Sequence, residues 1–206
     1  MKIIEPSVKL IDDINQEAIL KKIERCGRVC YQSQPREDSA ENFVRMLIKR
    51  GHESVLEHVS LTFHIICDRA IQNELVRHRL ASFSVESTRY CKYDDLEVIA
   101  PFDADNPFLA DAYRAWETCI GLSANYYRAF INEKYSPEKA RAVLPLCLKS
   151  ELYMTANLRE WRYILKLRTN KAAHPQMRQI GNQILAVFKD KLPVIVEDIN
   201  LEDSNP

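Results

Sequence analysis

Glycine is scarce in this chain: Gly27, Gly51, Gly121 and Gly181 are the full complement in 206 residues. Glycines spaced this widely cannot form a G-x-G-x-x-G fingerprint or a P-loop, so both common glycine cradles for phosphate are excluded. If the protein handles nucleotides, side chains and helix ends must hold the phosphates. Excess charge is missing too. Lysine plus arginine and aspartate plus glutamate number 29 each, which argues against non-specific binding to nucleic acid or to a membrane surface. Any cationic site must therefore be local. The six cysteines (Cys26, Cys30, Cys67, Cys91, Cys119 and Cys147) contain no C-x-x-C pair. No spacing suggests zinc, and reduced thiols in a cytoplasmic protein are expected. No apolar run is long enough to span a bilayer, and the N-terminus lacks the apolar segment of a signal peptide. Internal repeats, linkers and low-complexity tracts are absent as well. A hydrophobic share of 46% is enough for a single domain over residues 1–206 to bury a core without staples.

Periodicity supplies the elements. An opening strand is predicted over Lys2–Leu10, interrupted by Pro6, and a helix over Gln16–Val29. A second helix carries the stripe Ala40, Phe43, Val44, Leu47 and Ile48. Asp38, with Glu41 three residues on, is its expected cap, and Gly51 its left-handed stop. A long strand is predicted over His58–Cys67. Val59, Leu61, Phe63, Ile65 and Cys67 lie on one face, and His58, Ser60, Thr62, His64 and Ile66 on the other. Asp68 then caps a helix whose C-terminal end carries Arg77–Arg79. Ser82–Thr88 is expected to be a loop, followed by a short strand near Leu96–Ile99. Pro107 starts a long amphipathic helix through Leu109, Tyr113, Trp116, Ile120, Tyr127 and Phe130. Ser136-Pro137 starts another, ended by Pro145. Glu151–Ala156 reads as a strand, and Asn157 with Glu160 caps a helix to Arg168. Pro175 starts the last long helix, with Met177, Ile180, Ile184, Val187 and Phe188 on its buried side. Helices and strands that do not alternate regularly give an α+β class rather than a doubly wound sheet.

The chemistry concentrates in RHRLASFSVESTRY, Arg77 to Tyr90. Arg77, His78, Arg79 and Arg89 stand there beside Ser82, Ser84, Ser87 and Thr88. Guanidinium forks match phosphate oxygens in pairs and hydroxyls complete the shell, so this is an anion-binding inventory. The plainer reading of Arg77–Arg79 is a set of cations complementing a helix C-terminus. Asn157 can be simply an N-cap. Arg168 shares a helical phase with Leu158, Trp161 and Leu165, where an arginine is usually snorkelling or paired. His52, Glu57 and His58 do not form H-E-x-x-H, so no metal site is assigned. Cys91 has no partner base nearby in sequence, and Ser87 reads as a ligand hydroxyl rather than a nucleophile.

Arg77-His78-Arg79, seven residues, then Ser87 resembles the signature of the flavin-dependent thymidylate synthases. Four fixed positions recur by chance in about one chain in a thousand of this length. His52-Glu53-Ser54, Glu57-His58, Thr62-Phe63-His64 and Ser87-Thr88-Arg89-Tyr90 are similar to that family in the same order. So are Ala140-Arg141, Val143-Leu144-Pro145-Leu146, Asn157-Leu158-Arg159 and Leu167-Arg168. The resemblance covers nearly the whole chain. It implies a fold of helices packed around a mostly antiparallel sheet, and a homotetramer whose sites draw residues from several subunits. It also implies a reaction: dUMP becomes dTMP, with methylenetetrahydrofolate giving the carbon, NADPH the hydride, and FAD mediating, without a cysteine nucleophile.

By the same resemblance Arg168 is the catalytic residue, stabilising negative charge on the uracil ring. Glu74, Arg77, Glu86, Ser87, Thr88, Arg89, Arg141 and Arg168 would meet dUMP. Ser54, Arg77, His78, Arg79, Asn157, Arg159 and Tyr163 would meet FAD, with His52 lining the flavin–folate region. The chain departs from the family pattern in places. Glu74 stands where Gln is usual, Ser84-Val85 fill the places of an Asn-Glu pair with Glu86 one later, and Tyr163 replaces an Asn. Two other readings stay open: a nucleotide-binding relative without catalysis, and a metal-dependent hydrolase using His52 and His58.

Overall fold

A computed structural model describes residues 1–30, 32–101 and 107–199. Its strands are β1 Lys2–Ile3, β2 Ser7–Leu10, β3 Ser60–Asp68, β4 Ala81–Val85, β5 Glu97–Val98 and β6 Lys149–Asn157. Its helices are α1 Gln16–Val29, α2 Ala40–Lys49, α3 Arg69–Leu75, α4 Ala110–Asn132, α5 Pro137–Ala140, α6 Leu158–Arg168, α7 Pro175–Lys191 and α8 Pro193–Val196. The α+β class holds. Among the described residues no helix is long and apolar enough to cross a membrane.

The chain divides into two compact units. The first comprises Met1–Ser7, Ile66–Arg77 and Ser84–Leu152. Here β1 and β5 pair in parallel, Lys2 beside Glu97 and Ile3 beside Val98. The core gathers Leu96, Val98, Ile120, Ala124, Tyr127, Ala140 and Leu148, so one face of α4 packs on the short parallel pair and on α5. Asp68 caps α3 by accepting from the Ile71 N–H at 2.7 Å.

The second unit comprises Val8–Ile65, His78–Phe83 and Tyr153–Pro206. Strands β2, β3, β6 and β4 lie in that order in one sheet. β3 and β6 run antiparallel. The Val59 carbonyl accepts from Leu158 N–H at 2.9 Å, the Thr62 and Thr155 hydroxyls share a bond of 2.9 Å, and His64 stacks on Tyr153. The expected alternation along β3 holds, with Leu61, Phe63, Ile65 and Cys67 all buried. Phe63 meets Trp161 edge-on at 4.9 Å, and Phe188 of α7 closes the cluster. Trp161 Nε1–H donates to the Leu61 carbonyl at 3.0 Å, which satisfies the indole inside this core. Gly181 lets α7 approach the end of α6, since a Cβ there would lie 3.2 Å from the Arg168 carbonyl carbon and oxygen.

Four sequence expectations are corrected. Ser82–Thr88 is not all loop, because Ala81–Val85 forms β4 with its serines outward. His58 ends a 3-10 helix, Glu53–His58, instead of opening β3. Ser39, not Asp38, occupies the α2 cap position and makes no cap bond there. Its hydroxyl is drawn to Glu24 and to the Arg36 carbonyl, while Asp38 adopts a left-handed φ of 54°. Arg77–Arg79 follow α3 rather than ending it, since α3 stops at Leu75. Gly51 has φ 71°, the left-handed stop expected after α2.

Candidate functional site

In the second unit the site is built along α6. Asn157 caps it, its Oδ1 accepting from the Glu160 N–H at 2.8 Å. The plain reading of Asn157 as a cap is therefore correct, and a cap can still face a ligand. Arg168 is the last residue of α6. Its Nε–H donates to His78 Nε2 at 3.1 Å. On the far side of the imidazole, Nδ1 lies 3.6 Å from Glu160 Oε1. His78 is 6% exposed, whereas Arg77 and Arg79 on either side are exposed. The three residues of the Arg-His-Arg run thus alternate: the imidazole is inside and the guanidiniums are outside.

Beside this line lies a groove of about 440 Å³ lined by Glu57, Leu80, Asn157, Arg159, Glu160 and Tyr163. Leu80 is 73% exposed and Tyr163 58%, so the groove has an accessible apolar wall. The Tyr163 ring meets His78 edge-on, with centroids 6.2 Å apart. Arg159 is held by Glu57 at 2.6 Å. Ser54 lies within the 3-10 helix Glu53–His58, and His52 just before it; both are exposed. Among the described residues no three His, Cys, Asp or Glu side chains are grouped to hold a metal ion.

His78 is held neutral. Burial, and then the nearby Arg168 charge, push its pKa down from 6.5 to about 4. Above pH 6.5 the imidazole is neutral both folded and unfolded. Between 6.5 and about 4 the unfolded chain takes up a proton that the folded one refuses, so stability falls as pH is lowered through that window. Discounted for solvent screening, the loss is about 2 kcal/mol. Burial raises the Glu160 carboxyl, which acts in the opposite sense. Urea unfolding of wild type and His78→Gln at neutral pH and near pH 4 isolates the histidine: the wild type should lose about 2 kcal/mol more than the variant. Equal losses would show that His78 titrates normally.

In the first unit a second group of expected residues comes together. Arg141 donates to the Thr88 hydroxyl at 3.2 Å, and Arg89 pairs with Glu138 at 3.0 Å. The Ser87 hydroxyl accepts from the Arg89 N–H, and its carbonyl from the N–H groups of Tyr90 and Cys91. This turn presents Arg89 outward, Arg141 just after α5 is exposed too, and Thr88 is buried. Ser87 is thus a turn residue whose hydroxyl accepts a backbone hydrogen bond. Arg77 is exposed after α3, its N–H donating to the Glu74 carbonyl at 3.3 Å.

Glu86 stands apart from this group. Its Oε1 accepts from the Tyr93 hydroxyl at 2.5 Å and its Oε2 from Lys149 Nζ at 2.8 Å. Lys149 also reaches Glu151 at 2.9 Å. Burial, reinforced by the Glu86 hydrogen bond, drives the Tyr93 hydroxyl far above its usual range. Cys67 is pushed up to about 12, chiefly by burial, and is an inert core thiol.

Sequence reasoning missed three residues. Glu160 entered only as a cap partner, although it sits two turns before Arg168 on the same helix. Arg162 is 1% exposed and joins Glu53, Asp198 and the Ile195 carbonyl. Its signal was an arginine set among Trp161, Ile164 and Leu165. Lys149 was passed over: Glu151 lies two residues on along the same strand, but Glu86, its other carboxylate partner, meets it only through the fold.

The sequence profile described as "Thymidylate synthase complementing protein" matches residues 9–194. A "Probable flavin-dependent thymidylate synthase" of Mycobacterium phage L5 is 35% identical over 191 residues, covering 85% of this chain and 79% of that one. A "Flavin-dependent thymidylate synthase" of Mycolicibacterium vanbaalenii is 34% identical over 214 residues, covering 95% and 85%. Among solved structures, the UMP/dUMP methylase PolB of Streptomyces cacaoi, bound with 5-Br dUMP, superposes with a TM-score of 0.82 over 96% of each chain, at 24% identity. At that identity the last match speaks for the fold.

Proposed function

Because this chain belongs to the flavin-dependent thymidylate synthases, the thymidylate synthase complementing protein family, we propose that it methylates dUMP to dTMP. Methylenetetrahydrofolate is the carbon donor, NADPH the reductant and FAD the mediator. The observation that carries this reading is the Arg168 guanidinium, aimed by a buried neutral imidazole at the end of α6. Such a fixed cation stabilises negative charge developing on a uracil ring.

The second unit's groove fits a flavin. Tyr163 and Leu80 offer an apolar wall for a flat ring, Asn157 and Glu160 offer polar edges, and the exposed Arg159 and Arg79 suit a pyrophosphate. FAD bound there would supply the two-electron chemistry. In the first unit Arg89 and Arg141, with Thr88 behind them, suit the monophosphate of dUMP. Ser87 and Cys91 form no nucleophile in this scheme. Exposed Tyr90 and Leu146 fit burial between copies in a homotetramer.

Protein reconstituted with FAD should be yellow and should form dTMP from dUMP, methylenetetrahydrofolate and NADPH, with product identified by chromatography. Tight dUMP binding by calorimetry without any methyl transfer would instead support a non-catalytic nucleotide-binding relative.

A further inference from the structure

Resting on that reading of Arg168, we propose that Glu160 is a positioning residue, acting through the ring of His78 to fix the guanidinium at the end of α6. The argument begins from donors and acceptors. Arginine Nε can only donate, and it lies 3.1 Å from His78 Nε2. That nitrogen must therefore be bare, and the single proton of the neutral ring must sit on Nδ1. Nδ1 faces Glu160 Oε1 at 3.6 Å. This is too long for a full hydrogen bond, so the carboxylate acts on the ring mainly as a charge. A negative group on that side favours the Nδ1–H tautomer, the one form that can accept from Arg168.

The framework is rigid. Glu160 is the third residue of α6 and Arg168 the last, about 12 Å apart along the axis. His78 bridges them from a separate segment, following α3. The Asn157 cap fixes the backbone of Glu160. The side chains of His78 and Glu160 are 5% and 9% exposed, so little water competes for either. The helix thus holds both ends of a carboxylate–imidazole–guanidinium line.

The test uses the full-length protein with ¹⁵N-labelled histidine, with and without added FAD, at neutral pH. In the wild type the His78 resonances should show a bare Nε2 and a protonated Nδ1. Glu160→Leu removes charge and acceptor at similar size. It should give tautomer exchange at His78 and lower kcat about tenfold, the scale of a lost carboxylate behind a working histidine, with much less change in dUMP affinity. Glu160→Gln keeps an acceptor oxygen and should fall between the two. A role in folding alone would move Tm without moving the histidine signals. A protonated Nε2 in the wild type overturns the proposal, as does a Leu variant whose tautomer and kcat match wild type. Arg168→Ala separates the two levels. If that variant keeps full turnover, the catalytic reading of Arg168 fails, whereas the nitrogen resonances judge the Glu160–His78 contact by themselves.

Discussion

Arg168→Ala is expected to lower dTMP formation by about 10²- to 10³-fold, the cost of removing one preorganised group that stabilises developing charge. The side chain is half-buried, and its Nε–H donates to a buried neutral imidazole. Truncation leaves the His78 Nε2 lone pair unpartnered, which costs about 1 kcal/mol of stability. Thermal unfolding should therefore shift by only a few degrees while turnover collapses, and that asymmetry separates a catalytic arginine from a structural one. Arg168→Lys sharpens the point. Lysine keeps the charge but loses the planar fork and the Nε donor that meets His78. An ammonium on a flexible stem should restore a small part of the activity. If Arg168→Ala turns over dUMP at near the normal rate, the cation merely complements the C-terminus of α6, and ring activation lies elsewhere.

What the sequence made legible, and what it hid, follows from how local each signal is. α1 is read correctly to both ends from its apolar phase, and the start of α7 from Pro175, because each signal lies within a few residues. Gly51 is likewise a local signal, one left-handed residue after one helix. β4 was hidden because Ser82 and Ser84, its outward residues, are also what a loop contains. Only pairing with β6 turns Ala81, Phe83 and Val85 into a strand face. The Arg-His-Arg run was visible as composition, yet composition does not say which of three cationic residues turns inward. Burial puts His78 inside and neutral. That changes its part from a positive ligand to an acceptor for Arg168. Glu86 marks a different limit: its place in the motif loop suggests a ligand, but the hydrogen bonds it accepts from Tyr93 and Lys149 are not legible in the sequence.

Arg162→Ala should be strongly destabilising, costing about 3 kcal/mol in urea unfolding. Arg162 sits in mid-α6 and holds Asp198 through two bonds of 2.7 and 2.8 Å, Glu53 at 3.0 Å and the Ile195 carbonyl. One guanidinium thereby ties α6 to the 3-10 helix Glu53–His58 and to the end of α8. Burial pushes the Asp198 carboxyl up, but hydrogen bonds from Arg162 and Lys166 outweigh it and hold the pKa well below the usual carboxylate range. Removing Arg162 strands two carboxylates, although Asp198 remains partly exposed and keeps Lys166 at 2.9 Å. That places the cost at the lower end for a broken buried pair. Asp198→Ala alone should cost less, and the double variant less than the two single changes added, because they share one network. The consequence for function is specific. Glu53 heads the 3-10 helix that carries Ser54 and follows His52, so slackening it should weaken FAD binding while dUMP binding, assigned to the first unit's arginines, changes much less. FAD affinity intact in a folded Arg162→Ala protein would show that this anchor stabilises the chain without shaping the flavin groove.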